Sequence, residues 1–289
     1  MSLLEASFLG ELEALRRRLA ASARSGGPGE RRARRRGGSA EFAEHRSYAP
    51  GDDLRRVDWL AFARTGGPVL KLFRAEEDVV VRLLLDASSS LSTGTPPKID
   101  VAKRLAAALA YMALAESERA QVLIAREGLE AARDPVRGRA ALPRVLRELE
   151  ALSPSGRTDL AAAVESVIAR VPRPGMLVVL SDFMDPGPWD RALARAGTAG
   201  HDIALVQVLS ADELAPPWDG DIAFVDSETG SLVEITVDDA ARRAYLARLD
   251  ALFRTLAAAA KRARGSYVRA AVGDDLLAVV RRVVGRAVD

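Results

Sequence analysis

Residues 78–90 read DVVVRLLLDASSS. A largely apolar, β-branched run ends abruptly in Asp86, and hydroxyls follow at alternate positions, Ser88 and Ser90. A run this short, bounded by an acid and serines, reads as a strand buried on both faces. Asp86 then stands at the carboxyl end of that strand. In open parallel sheets ligands gather outside the carboxyl ends of strands, where the strand order reverses. The remaining chain is read by asking which groups reach that point.

From Val79 onward strand and helix patterns alternate, the signature of a parallel α/β sheet. Pro96-Pro97 opens a helix with Val101, Leu105, Ala108, Leu109 and Met112 on one face. Gln121–Ala125 is predicted as a strand, Leu129–Ala132 as its short antiparallel partner and Ala140–Leu152 as a helix. Ser153–Leu160, SPSGRTDL, is a turn that feeds a helix running to about Arg170. Met176–Ser181 is a second fully apolar strand, and it too ends in an acid, Asp182. Trp189–Ala199 is expected to be helical and Ile203–Leu209 a strand. Asp221–Val225 and Leu232–Val237 read as a hairpin around Glu228-Thr229-Gly230. Ala240–Arg264 is a long helix expected to bury Leu246, Leu249, Leu252, Phe253 and Leu256. Tyr267–Ala271 is the last strand and Asp274–Arg286 the last helix.

Two acids thus end buried strands, and Thr158 sits on a turn before a helix. If the two strands are neighbours, Asp86, Ser88, Ser90, Thr158 and Asp182 converge on one crevice. An all-oxygen set of two carboxylates and three hydroxyls suits a hard cation: Mg²⁺, Mn²⁺ or Ca²⁺. Such a set leaves an exposed position that a partner's carboxylate can fill, which makes a binding site rather than a catalytic one. The plainer alternative is that both acids merely cap strand ends and the helices that follow.

The amino-terminal part differs in character. Leu4, Phe8, Leu12, Leu15 and Leu19 recur at helical spacing, with Arg16, Arg17 and Arg18 near the carboxyl end, where the dipole favours cations. That helix serves either core packing or a partner. Arg24–Gly38 holds five arginines within positions 31–36 among glycines, a composition for a basic linker rather than a core. No aromatic residue is interleaved there to stack on bases, which weakens a nucleic-acid reading of Arg31–Arg36. In residues 41–74, Pro50-Gly51 marks a turn, and Tyr48, Trp59 and Phe62 are candidate anchors on a neighbouring surface. Asp52, Asp53, Arg55, Arg56 and Asp58 form a candidate ion-pair network, and Val69–Phe73 a candidate edge strand.

The totals exclude several classes. The 289 residues suffice for one large domain or two small ones, and a net charge of +2 is no polycation. Without cysteine there is neither disulfide nor thiol catalysis, which fits the cytoplasm best. His45 and His201 are the only histidines, too few for a multi-His zinc site. The amino terminus has acids early and bases late, the reverse of a secretory leader, and no apolar run approaches the ~20 residues of a membrane span.

D-x-S-x-S after an apolar strand, a Thr in G-x-T-D-L and an Asp ending a later strand resemble the metal-ion-dependent adhesion site of von Willebrand factor A domains. In addition, Arg46, Tyr48, Gly51, Asp52, Arg55, Asp58, Trp59, Ala63 and Arg64 match R-x-Y-x-x-G-D-x-x-R-x-x-D-W-x-x-x-A-R. That pattern is similar to the one preceding the A-type domain in a bacterial family of uncharacterised proteins associated with MoxR-type AAA+ ATPases. D-x-E-T-G at Asp226–Gly230, followed by Tyr245, resembles the same family. The departures are Leu91, where Met often follows the serines, and Arg157, where Gly is common; neither removes a ligand.

The resemblance implies an α/β fold: a von Willebrand factor A-like, doubly wound, mostly parallel sheet with helices on both faces and a late β-hairpin. It divides the chain into an amino-terminal extension, 1–78, and an A-type domain, 79–289. It also implies a non-enzymatic interaction module, binding a MoxR-type AAA+ ATPase or its client through a metal held by the five oxygen-bearing residues. The alternatives are a Mg-dependent phosphatase using Asp86 and a nucleic-acid binder using Arg31–Arg36. The first lacks the second acid two residues on, where Ser88 stands. No G-x-x-x-x-G-K-[ST] stretch supports intrinsic ATP hydrolysis.

Overall fold

The computed structural model describes residues 3–25, 42–49, 52–53, 57–73, 79–171 and 173–286. Helix α1 (Ala6–Ser25) groups with residues 79–286 in one compact unit, and the described residues between 42 and 73 form another. Arg31–Arg36, Gly51, Arg55 and Arg56 lie outside the described residues.

In the smaller unit, β1 (Phe42–Ser47) pairs antiparallel with β2 (Val69–Phe73). Between them runs α2 (Trp59–Thr65). Asp58 caps its start by accepting from the backbone N–H of Leu60 and of Ala61, both at 3.1 Å. Gly66, at φ 72°, ends it in the left-handed conformation that glycine adopts without steric cost. Arg46 pairs with Asp52 at 2.6 Å, and Asp52 also accepts from the N–H of Ala49. These acids of the motif therefore cap and brace. Trp59 and Phe62 meet edge to face and are exposed, as is Leu60.

The larger unit follows the expected alternation. β3 (Val80–Asp86) leads to α3 (Lys98–Ala115), β4 (Arg119–Arg126), β5 (Gly128–Ala132) and β6 (Val136–Arg137). Then come α4 (Leu142–Glu150), α5 (Leu160–Arg170), β7 (Met176–Ser181), α6 (Trp189–Thr198), β8 (Asp202–Leu209) and the one-turn α7 (Ala211–Leu214). The hairpin β9 (Gly220–Val225) and β10 (Leu232–Val237), α8 (Asp239–Arg262), β11 (Ser266–Ala271) and α9 (Leu276–Arg286) complete it.

Among the described residues the main sheet has the order β11-β8-β7-β3-β4-β5, with β6 also against β4. β11, β8, β7, β3 and β4 are mutually parallel; β5 and β6 run antiparallel to β4. After β3 the chain adds β4 on one side and β7 on the other, so the strand order reverses at β3. Alternate residues of each strand enter opposite cores. Leu83, Leu85, Val178, Leu180 and Val206 pack with α1, α3, α4 and α9. Leu84, Leu123, Leu177, Val179 and Leu205 pack with α5, α6 and α8. Each such leucine or valine contributes about 1.5–3 kcal/mol by leaving water. The doubly wound sheet with helices on both faces is the one the sequence implies.

Two local readings resolve. The apolar stripe of α1 is core: Leu4, Phe8, Leu12 and Leu15 are buried. On α8, Leu249 and Leu256 are buried, but Leu246 is 38% exposed, since the apolar stripe runs beyond the surface that covers it. Among the described residues no helix is long and apolar enough to cross a membrane.

Candidate metal centre

β3 and β7 lie side by side with Leu85 opposite Leu180, which places Asp86 beside Ser181 at the carboxyl ends of both strands. The Ser181 hydroxyl donates to Asp86 Oδ2 at 2.6 Å and accepts from the N–H of Phe183 at 2.9 Å. Asp86 Oδ1 accepts from the N–H of Ser88 at 2.9 Å. The Ser88 and Ser90 hydroxyls meet at 3.0 Å. Thr158 arrives on the turn before α5, and its hydroxyl donates to Asp86 Oδ2 at 3.3 Å.

That turn is fixed to the loop after β3 by backbone bonds. Ser155 N–H donates to Ala87 O at 2.8 Å, and Ser89 N–H to Gly156 O at 3.0 Å. Arg126, at the end of β4, donates to Ala87 O and Ser153 O and so ties the two loops together. Four of the five expected residues, Asp86, Ser88, Ser90 and Thr158, thus form one interlocked cluster.

Asp182 sits at the same strand ends but faces another partner. Its Oδ2 accepts from Lys98 Nζ at 2.7 Å, and its Oδ1 from the N–H of Met184 at 3.0 Å. Lys98, in the first turn of α3, also donates to Glu213 Oε1 at 2.6 Å. Glu213 forms a capping box with Ser210 at the start of α7, and its carbonyl accepts from the Tyr245 hydroxyl at 2.9 Å. Phe183, between Asp182 and Met184, has φ 58°, a left-handed conformation unusual for a bulky residue, held by its burial against Trp189.

A further carboxylate comes from the tip of the β9–β10 hairpin. Glu228 Oε2 accepts from the Thr158 N–H at 3.4 Å, and the nearby Ser88 hydroxyl favours its charged form. The turn that presents it is built by Asp226, whose carboxylate accepts from the N–H of Glu228 and of Thr229.

Charge at the site is unbalanced. Asp86, Asp182, Glu213 and Glu228 gather near the strand ends, and Lys98 pairs with two of them, Asp182 and Glu213. Burial, reinforced by the charge of Asp182, pushes the Asp86 carboxyl up to about 6. Burial also raises Glu228, with Asp182 and Asp226 adding to it. For Lys98, burial pulls downward, but Asp182 and Glu213 more than offset it, so its value is raised. The donors at Asp86 are carboxylate and hydroxyl oxygens, the chemistry of a hard cation, and the surplus of acid has the sign such an ion offsets. Among the described residues no group of three or more His, Asp or Glu side chains forms a ready-made metal cage.

Sequence reasoning missed Lys98, Ser181, Glu213 and the placement of Glu228. Lys98 carried a signal: a lysine in a helix's first turn opposes the dipole and calls for a nearby acid. Glu213 carried another, the S-x-x-E of a capping box. Ser181 was hidden as the last residue of an apolar strand.

Residues 44–271 match the family model described as "Protein of unknown function DUF58". The chain is 36% identical over 212 residues to the uncharacterized protein Rv1480 of Mycobacterium tuberculosis, covering 71% of this chain and 66% of that protein. It has the same identity and coverage to the uncharacterized protein Mb1516 of Mycobacterium bovis. The match therefore spans just under two thirds of these relatives' length. Among solved structures, an aerotolerance-related membrane protein from Bacteroides fragilis aligns with a TM-score of 0.49 at 18% identity, covering 72% of this chain and 98% of that one. A von Willebrand factor type A protein from Catenulispora acidiphila aligns with a TM-score of 0.45 at 13% identity, covering 75% and 42%. With the family model matched from the strand pair of the smaller unit through β11, the chain belongs to the DUF58 family of proteins of unknown function.

Proposed function

We propose that this chain is a non-enzymatic protein-interaction module of the cytoplasm. Asp86, Ser88, Ser90, Thr158 and Asp182 hold a divalent cation, Mg²⁺ or else Mn²⁺ or Ca²⁺, and the cation receives a carboxylate from a partner protein. One observation carries the reading. Asp86 is wholly buried and is met by Ser88, Thr158 and Ser181, and among the described residues no Lys, Arg or His pairs with it. The nearby ammonium, Lys98, is committed to Asp182 and Glu213. A buried carboxylate without a counter-charge is costly, and a bound cation removes that cost.

When bound, the cation supplies positive charge and an open position for an anionic ligand. The chain's own groups do the rest: Ser181 and the Ser88 amide orient Asp86, and Lys98 holds Asp182 at the strand end. Recognition rather than catalysis is favoured because the residue two after Asp86 is Ser88, a poor proton donor, bonded to Ser90. The family resemblance supports a MoxR-type AAA+ ATPase, or that ATPase's client, as the partner, with this chain acting in assembly or activation of a protein complex.

The test is calorimetric binding to a MoxR-type AAA+ ATPase with Mg²⁺ and with chelator, for the wild type and Asp86→Ala. Binding that needs both the ion and Asp86 is the expected result. Binding indifferent to both removes the metal-mediated mechanism. Phosphatase activity that depends on Asp86 would replace recognition with chemistry.

A further inference from the structure

The tip of the β9–β10 hairpin meets the candidate site through Glu228. Glu228 is part-buried, whereas Asp226, Ser227, Thr229 and Gly230 around it are exposed. Its carboxylate accepts from the amide of Thr158, whose hydroxyl donates to Asp86 Oδ2, and the nearby Ser88 hydroxyl favours its charged form. The tip is built to hold it there. Asp226 Oδ1 takes the N–H of Glu228 at 2.8 Å and that of Thr229 at 3.0 Å. Gly230, at φ 71°, closes the turn with its N–H on Asp226 O at 2.8 Å. A long, flexible acid is thus directed toward other acids, Asp86 and Asp182, although repulsion would turn a free glutamate to solvent.

We infer that Glu228 is the resident carboxylate of this site: it occupies, from within the chain, the face through which a partner's Asp or Glu reaches the cation. The inference rests on the metal-binding reading above. The cation is what makes an inward-facing Glu228 favourable, and Glu228 is what an incoming acid must displace. The hairpin sets how strongly a partner has to compete. The chemistry that recognises this site is therefore a carboxylate-bearing protein segment able to outcompete an intramolecular one, whose advantage is its high effective concentration.

The experiment titrates Mn²⁺ into the full chain, read by water-proton relaxation, for the wild type, Glu228→Gln, Glu234→Gln on the same hairpin and Asp86→Ala, each with and without acetate as a minimal external carboxylate. The expected result has three parts. Glu228→Gln binds Mn²⁺ about 10- to 100-fold more weakly. Acetate restores part of that loss in Glu228→Gln and changes the wild type little. Glu234→Gln behaves as the wild type. If Glu228→Gln keeps wild-type affinity and ignores acetate while Asp86→Ala loses the ion, the metal site stands and this inference is overturned. If no form binds Mn²⁺, the metal reading falls and the inference falls with it.

Discussion

The ammonium of Lys98 lies 2.7 Å from Asp182 Oδ2, and both side chains are only 1% exposed. The pair links the first turn of α3 to the end of β7, and through Glu213 to α7. Substituting Lys98→Met leaves Asp182 buried without its counter-charge. The expected loss of stability is about 3–5 kcal/mol, measured by urea unfolding near neutral pH. Because the Lys98 value is raised in the folded protein, its contribution is complete below the ordinary 10.5 and disappears only as pH rises through the raised value. On the alkaline side the gap between wild type and variant should therefore persist and narrow only in strong alkali.

Asp86 carries the opposite sign. Its carboxyl rises from 3.8 to about 6 on folding, so between those values the folded state binds the proton more tightly than the unfolded one. The cost of the buried charge is therefore complete above about pH 6 and vanishes as pH falls below 3.8. In chelator, Asp86→Asn should be more stable than the wild type at pH 7 by about 1–3 kcal/mol, and the advantage should shrink toward pH 4. Thermal melts at the two pH values decide it, and equal melting temperatures for both proteins at pH 7 would contradict it.

Arg82 interrupts the apolar run of β3 and is buried. Its Nη2 donates to Arg173 O at 3.0 Å, but Nε and Nη1 find no acceptor among the described residues. Nearby, His201 is buried with no partner for Nδ1 among the described residues, and burial together with the Arg82 charge lowers its value. Arg82→Met keeps the aliphatic stem and removes the unsatisfied charge. It should stabilise the chain by about 1–3 kcal/mol. It should also move His201 part of the way back toward 6.5 in an NMR titration. A destabilised variant would mean that the guanidinium has a partner outside the described residues.

Legibility along the chain followed burial. Met176–Ser181 was readable to the residue because a strand buried on both faces is a continuous apolar word. The β9–β10 hairpin was readable from its turn residues. β1, by contrast, is the polar stretch FAEHRS, and only its pairing with β2 makes it a strand. α2 is seven residues long, too short for a periodic signal, and its start is marked by the Asp58 cap alone. Leu246 fits the helical stripe yet remains exposed, since periodicity reports a face and not the extent of what covers it.

The local sequence determined which residues end buried strands and which hydroxyls follow them: Asp86 with Ser88 and Ser90, Thr158 before its helix, and Asp182. It did so because strand burial, turns and helix starts are encoded within a few neighbouring residues. Only the tertiary structure decided that β3 lies beside β7, that Lys98 holds Asp182 across 84 positions, that Ser181 orients Asp86 across 95, and that Glu228 reaches Thr158 across 70. Those contacts depend on strand order and loop closure, which no local periodicity records, and on opposite or surplus charges that become decisive only once water has been excluded between them.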